Sequence, residues 1–320
     1  MNRNLVGMIS LVAGIMIFSV QDAIIKGISG DYAVTQAMAI RCIVALPILC
    51  VLVHFEAGLR RLWSPNMGGL ILRSLILLVA YTTYYMAFPA LPLAEAIALF
   101  FTAPIIVTVL SGPLLGERVT AGSWVSVGIG FVGVLIILQP GSALFEPAAL
   151  LSLVSAATYA LSMIYARKLG ATEPATIMTF YANAVYLVSA IVIAGIFAGI
   201  GFTELGHPSL DFLVRPWAMP TSRDFLLMGV CGVIAAFAMS LLSHAYRMAE
   251  ANLVTVFEYT GMIWAPLWGF LFFNEFPRWT TFVGMALIAA AGVNSARSAA
   301  RRQAGATPAP STHEPRPRRD

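Results

Sequence analysis

The chain is short of charge. Of its 320 residues only 11% are Asp, Glu, Lys or Arg, whereas a soluble domain carries about 25%. That excludes an ordinary cytosolic protein, whose surface needs more than twice as many charges to stay hydrated. Three cysteines exclude a disulfide framework, and no CxxC pair is present. The four histidines and the absence of HExxH or a cluster of His, Cys and carboxylates leave no metal-ligand pattern. No GxxxxGK[ST] sequence occurs, so ATP hydrolysis within the chain has no support. Basic stretches interleaved with aromatics are missing, which argues against a nucleic-acid partner. No cofactor is expected.

What the chain has is apolar sequence: 59% of its residues, in long runs. Ten runs stand out, at about 5–25, 33–53, 68–87, 93–114, 124–138, 148–166, 177–200, 225–244, 253–273 and 282–295. About 20 residues of helix cross a bilayer. In lipid each backbone N–H and C=O must be satisfied within the segment, so the runs predict helices. The alternating pattern of a β-barrel is absent. The fold expected is an all-α polytopic membrane protein with ten transmembrane helices. The first run follows Arg3 as a signal peptide would, but it is longer than a typical apolar signal core, and nine runs follow it.

Positive residues set the orientation. With both termini cytoplasmic, the inner side receives Arg3, Arg60, Arg61, Arg118, Arg167, Lys168, Arg247 and the tail arginines. The outer side receives Lys26, Arg215, Arg223 and Arg278. A bacterial-type inner membrane is the expected location, with membrane lipid as a partner. Residues 298–320, rich in Pro, Ala and Arg, predict a disordered basic cytoplasmic tail.

The halves repeat. AEAIALFFTAPIIVTVLSGPLLGERV (94–119) and ANLVTVFEYTGMIWAPLWGFLFFNEFP (251–277) each start at Ala and run through apolar sequence into Glu. Glu117 and Glu275 align 158 positions apart, and Gly133 and Gly292 occupy similar places in the helices that follow. Lys26 resembles Arg167 or Lys168 at an offset near 141. Five spans are an odd number, so the second copy enters the membrane inverted. Inverted repeats are the architecture of secondary transporters. The expected halves are residues 1–143 and 144–297.

LPLAEAIALFFTAPIIVTVLSGPLLGERV, followed by GIGFVGVLIIL, resembles the repeat unit of the drug/metabolite transporter superfamily in its EamA branch. NEFPRWTTFVGMALIAAAGV is a looser match in the second half. The resemblance covers about 5–297. It implies a central substrate cavity lined by helices one, three and four of each half, with the fifth helices peripheral. FSVQDAIIKGISGDY and LPLAEAIALFF look most like family transporters of riboflavin or S-adenosylmethionine. The function expected is secondary transport of a small organic metabolite by alternating access, with riboflavin uptake first. Export or exchange of amino acids, drugs or S-adenosylmethionine is the alternative, and an integral-membrane enzyme the rival of another class.

Ionisable residues at membrane depth are costly, so each is a functional candidate. Gln21 and Asp22 precede Lys26, which lies at i+4 from Asp22 and is placed to pair with it; Arg41 lies in the same leaflet. The functional reading is a charged substrate anchor or proton-coupling site at Asp22, the structural one an interfacial ion pair. Glu258, with Phe100 as its first-half counterpart, shares a leaflet with His244, and the two suit proton exchange. Arg73 and Glu117 are candidates for an inner gate, Glu275 with Arg278 for an outer one, with helix-end salt bridges as the alternative. Tyr81, Tyr84 and Tyr85 share a helix face. With Phe100, Phe101, Phe257, Tyr259 and Trp264 they suit stacking against a planar heterocycle, or plain helix packing. Asn183 and Asn252 are further hydrogen-bonding candidates, and Pro104 predicts a kink. Cys42, Cys50 and Cys231 read as small apolar fillers. Gly128, Gly130 and Gly133 permit close helix approach, for internal packing or for a homodimer.

Overall fold

The computed structural model describes residues 3–116, 121–142, 144–169, 172–248 and 257–305. All their regular structure is helical: α1 (Arg3–Ile28), α2 (Val34–Glu56), α3 (Met67–Ala87), α4 (Leu93–Phe100), α5 (Ala103–Leu115), α6 (Ala121–Leu138), α7 (Ala149–Leu169), α8 (Ala175–Ile200), α9 (Pro208–Val214), α10 (Ser222–Met248), α11 (Gly261–Phe273) and α12 (Trp279–Gly305), with a 3-10 turn at Leu59–Leu62. Every apolar run of the sequence falls on a helix, the ninth in the part that is described. Among the described residues seven stretches are long and apolar enough to cross a membrane, α4 and α5 together forming one of them. Apolar side chains such as Phe131, Val188, Ile191 and Phe237 lie exposed around the bundle, as a lipid-facing belt requires. The short helix α9, within 201–224, had no counterpart among the apolar runs. Helix α12 continues to Gly305, past the expected boundary at 297, and residues 306–320 lie outside the described part.

The fourth span is broken rather than merely kinked. Pro104 has no N–H and its ring crowds the carbonyl four residues back, so α4 stops at Phe100 and α5 restarts at Ala103. Thr102 covers the break by donating its hydroxyl to Leu99 O at 2.7 Å. A turn at Tyr259–Thr260 precedes α11 at the matching point, and Thr260 donates to Phe257 O at 2.7 Å. No proline stands there, so the shared device is the threonine that bonds backward onto its own turn. Both following helices end on a left-handed residue, Gly116 (φ 70°) and Asn274 (φ 53°). The 158-residue offset read from the two glutamates therefore also matches breaks, helix starts and caps.

Packing follows the same correspondence. Helix α1 lies on α10 and α7 on α3; α2 lies on α10 and α8 on α3; α1 contacts α11 and α7 contacts α5. Exchanging each helix for its counterpart converts the first member of each pair into the second. Helices α2 and α8 pack on each other, as do α6 and α12. The α6–α12 contact is close because glycines face backbone. A Cβ on Gly284 would lie 2.7 Å from Gly133 O, and one on Gly133 would lie 2.9 Å from Gly284 O. Gly130 is likewise filled by Ile105, so two of the three α6 glycines serve internal packing. Gly128 meets nothing within 4 Å.

Gly284→Leu is expected to lower the melting temperature of the purified protein, because overpacking costs about 1–3 kcal/mol. Gly128→Leu is expected to leave it unchanged. Equal melting temperatures for the two variants in thermal unfolding would show that the α6–α12 contact does not depend on glycine.

Candidate functional site

A cavity of about 130 Å³ lies inside the bundle. Helices α1, α2, α3, α7, α8 and α10 wall it, and its polar lining comes from Arg41, Arg73, Tyr81, Tyr159, Asn183 and Tyr186. Each half supplies three walls. The volume falls below the roughly 300 Å³ of a site for a drug-sized ligand. A solute of that size enters only if the walls part.

Next to the cavity sits a hydrogen-bonded polar network. Arg41, 7% exposed, donates from Nε to Gln21 Oε1 at 3.1 Å. Gln21 donates from Nε2 to the Tyr85 hydroxyl at 2.7 Å. The Tyr84 hydroxyl donates to Asp22 Oδ2 at 3.1 Å, and Asp22 lies within electrostatic reach of Arg41. The amide of Gln21 can both accept and donate, which lets one side chain join a cation to a phenol. On the facing wall Tyr186 and Thr82 share a hydrogen bond of 2.9 Å, and Asn183 donates to Thr179 O at 2.9 Å. Tyr81 is the member of the tyrosine trio that reaches the cavity; Tyr84 and Tyr85 are buried in the core behind it.

Lys26 does not pair with Asp22 as the i+4 spacing suggested. Its Nζ meets Glu275 Oε1 at 2.6 Å and donates to Leu91 O at 2.5 Å. Glu275 in turn accepts from Leu93 N at 2.8 Å. Tyr84 takes Asp22, and Glu275, brought in at the end of α11, offers Lys26 the better anion. Nor does Arg278 pair with Glu275. It forks onto Glu95 with two hydrogen bonds of 3.0 Å each, and Thr281 adds a third at 3.1 Å. Together these groups bolt α1, α4, α11 and α12 at one end of the bundle. At the opposite end Ser64 donates to Glu173, and Tyr181 donates to Leu62 O at 2.5 Å.

Arg73 is 7% exposed and lines the cavity. Among the described residues its one hydrogen bond runs from Nη1 to Met178 O at 3.4 Å, and its Nε is buried with no partner. Glu117, its expected partner, lies outside the described residues, as does the side chain of His244, so the Arg73–Glu117 and Glu258–His244 pairings fall there too. Glu258 is half-buried and lies within electrostatic reach of Tyr159 and Tyr259.

The other aromatics stand beside the cavity rather than on its wall. Phe100 packs between Tyr84 (4.7 Å) and Tyr159 (5.1 Å), and Phe101 meets Tyr259 at 5.6 Å. Phe101 and Tyr259 occupy matching positions of the two halves, so the broken spans touch where they break. Trp264, Trp268 and Phe272 stack along α11 at 6.1 and 5.7 Å. The Tyr259 hydroxyl and the Trp264 indole N–H are buried without partners. The lining expected from helices one, three and four of each half thus becomes one, two and three, because α4 and α11 face each other and fill their own interface with rings. Sequence reasoning missed Glu95, Tyr159 and Tyr186. Glu95 was findable as a carboxylate inside an apolar run; Tyr159 and Tyr186 carry no local signal. Among the described residues no group of three or more His, Cys, Asp or Glu could hold a metal.

The model of the EamA-like transporter family matches residues 5–139 and again 146–293. The chain belongs to that family. This EamA-like protein is accordingly a membrane transporter and not an enzyme, with a small molecule as substrate. It is 32% identical over 215 residues to a riboflavin transporter of Rhizobium johnstonii, covering 67% of this chain and 65% of that one. It is 26% identical over 218 residues to an S-adenosylmethionine uptake transporter of Rickettsia prowazekii, covering 68% of each. It is 26% identical over 293 residues to a pseudopaline exporter of Pseudomonas aeruginosa, covering 91% and 96%. A solved crystal structure 14% identical in sequence superposes with a TM-score of 0.60, covering 94% of this chain and 98% of that one, a likeness of fold.

The two partners of the Glu95–Arg278 pair are unequal. Glu95 is 3% exposed and Arg278 33%. Arg278→Gln strands a buried carboxylate, at about 3–5 kcal/mol for a broken buried pair. Glu95→Gln leaves a cation that water reaches and an amide oxygen that still accepts. Thermal unfolding is expected to rank Arg278→Gln as the less stable variant, and the reverse order would refute this burial argument.

Proposed function

We propose that the protein is a secondary transporter that carries a planar aromatic metabolite across a bacterial inner membrane by alternating access, with riboflavin uptake as the first candidate. The observation that carries this reading is the cavity walled by three helices from each half, with Tyr81, Tyr159 and Tyr186 on its surface. Ten spans form two inverted five-helix halves, 1–143 and 144–297, with both termini cytoplasmic. In that orientation the bolt of Lys26, Glu275, Glu95 and Arg278 shuts the outer end, while Leu49, Arg73 and Thr179 extend the cavity toward the cytoplasmic side. Parting the bolt and closing the inner ends of α2, α3 and α8 would turn the cavity outward. Relatives named for riboflavin support the first candidate, and the tyrosines supply the stacking faces such a ring needs. Glu258, within reach of two tyrosines, is the coupling candidate. Export or exchange of an amino acid, a drug or S-adenosylmethionine is the second reading, and export is favoured by the pseudopaline exporter to which nearly the whole chain aligns.

Counterflow in proteoliposomes preloaded with riboflavin tests the first candidate. Labelled riboflavin is expected to accumulate, and Tyr81→Ala to raise the half-saturating concentration about tenfold, which is about 1.4 kcal/mol. Glu258→Gln is expected to keep counterflow and lose stimulation by a proton gradient. No riboflavin counterflow by folded protein would eliminate the vitamin, and full stimulation in Glu258→Gln would eliminate the coupling role.

A further inference from the structure

The cations packed within the bundle differ in what balances them. Lys26 has Glu275 and Arg278 has Glu95. Arg41 donates to Gln21 and lies within reach of Asp22. Arg73 has one hydrogen bond of 3.4 Å to a backbone carbonyl, and among the described residues no carboxylate forms a salt bridge with it. Among the described residues, the titratable groups acting on it are two phenols, Tyr81 from its own helix and Tyr159 from α7. Its Nε is buried and unpartnered, and the side chain forms part of the cavity wall. A desolvated guanidinium is expensive unless it is paired, Arg73 has no carboxylate partner among the described residues, and its planar fork matches a carboxylate or phosphate.

We propose that Arg73 is the anion anchor of the cavity, and that the transported solute is an aromatic metabolite bearing a carboxylate or phosphate, held with its ring among Tyr81 and Tyr159 and its anionic group on the Arg73 guanidinium. The proposal rests on the reading of this cavity as the substrate site. It departs from that reading in one respect, since riboflavin itself is uncharged: it puts an anionic relative of the ring compound ahead of the vitamin, and it disfavours net-cationic solutes such as a sulfonium. An anionic group bound in the cavity would supply the guanidinium with the counter-charge that no described residue gives it. Arg41, by contrast, already donates to Gln21 and has Asp22 within electrostatic reach.

The test compares solutes that share a ring and differ in charge: riboflavin against riboflavin 5′-phosphate, and indole against indole-3-acetate. Affinity is read from ligand-induced thermal stabilisation of the purified full-length chain. The anionic member of at least one pair is expected to bind at least tenfold more tightly. Arg73→Gln is expected to erase that preference, and Arg73→Lys to keep part of it. Equal affinity within both pairs in the unaltered protein overturns the proposal, whether or not Arg73→Gln folds. A preference that survives Arg73→Gln also overturns it. Preference in the indole pair with neither flavin bound removes the flavin and keeps the anchor. If no ring compound binds, citrate and pyrophosphate separate the two readings: stabilisation by either that Arg73→Lys weakens keeps the anchor and discards the aromatic solute, and no stabilisation overturns the anchor.

Discussion

The lipid interior offers no water, so every polar group at that depth must find its partner within the chain. That constraint explains the helices, whose backbones satisfy themselves, and it explains the side chains as well. Glu95 is tolerable within an apolar run because Arg278 and Thr281 reach it from α12. Lys26 is tolerable because Glu275 and the Leu91 carbonyl close around it. Each satisfied charge ties two helices that are distant in sequence, and together they lock one end of the bundle. Against that background Arg73, which faces the cavity and makes one long hydrogen bond among the described residues, is conspicuous, because the same constraint demands a partner for it.

Duplication gives the locked end its meaning. The halves share a threonine that caps a broken helix, a left-handed residue that ends the next one, and a reciprocal set of helix pairs. A bolt built from Glu275 has its sequence counterpart in Glu117, and Lys26 has its counterpart in Arg167 or Lys168. With the two copies inverted, as proposed, the chain has two equivalent ways to be closed, one at each face. The broken spans meet at Phe101 and Tyr259, near the centre of that exchange.

The spans, the repeat and the family were legible because each depends on apolar length or on matched order along the chain, both of which survive in one dimension. The individual pairs were not. Helical spacing places Lys26 beside Asp22 correctly, but spacing says nothing about competitors, and Tyr84 and Glu275 arrive from helices 62 and 249 residues away. The tyrosine trio shows the same limit. Tyr81, Tyr84 and Tyr85 do share a face, yet that face is wide enough to touch the cavity at one edge and the core at the other. Tyr159 and Tyr186 were invisible because a tyrosine in an apolar helix looks alike whether it meets lipid, core or cavity. The break at Pro104 was foreseen as a kink, while its companion at Thr260 lacks a proline and shows itself only in the folded chain.

The central claim is that one cavity, shared by both halves, opens to one face of the membrane at a time. A single cysteine placed at Ala182 on the cavity wall, in a chain with Cys42, Cys50 and Cys231 replaced, tests it with a membrane-impermeant thiol reagent applied from either side. The account predicts labelling from the cytoplasmic side while the Lys26–Glu275 bolt is intact, and a shift toward labelling from outside when Glu275→Gln loosens it. Labelling that is equal from both faces, or that does not respond to Glu275→Gln, would contradict the account.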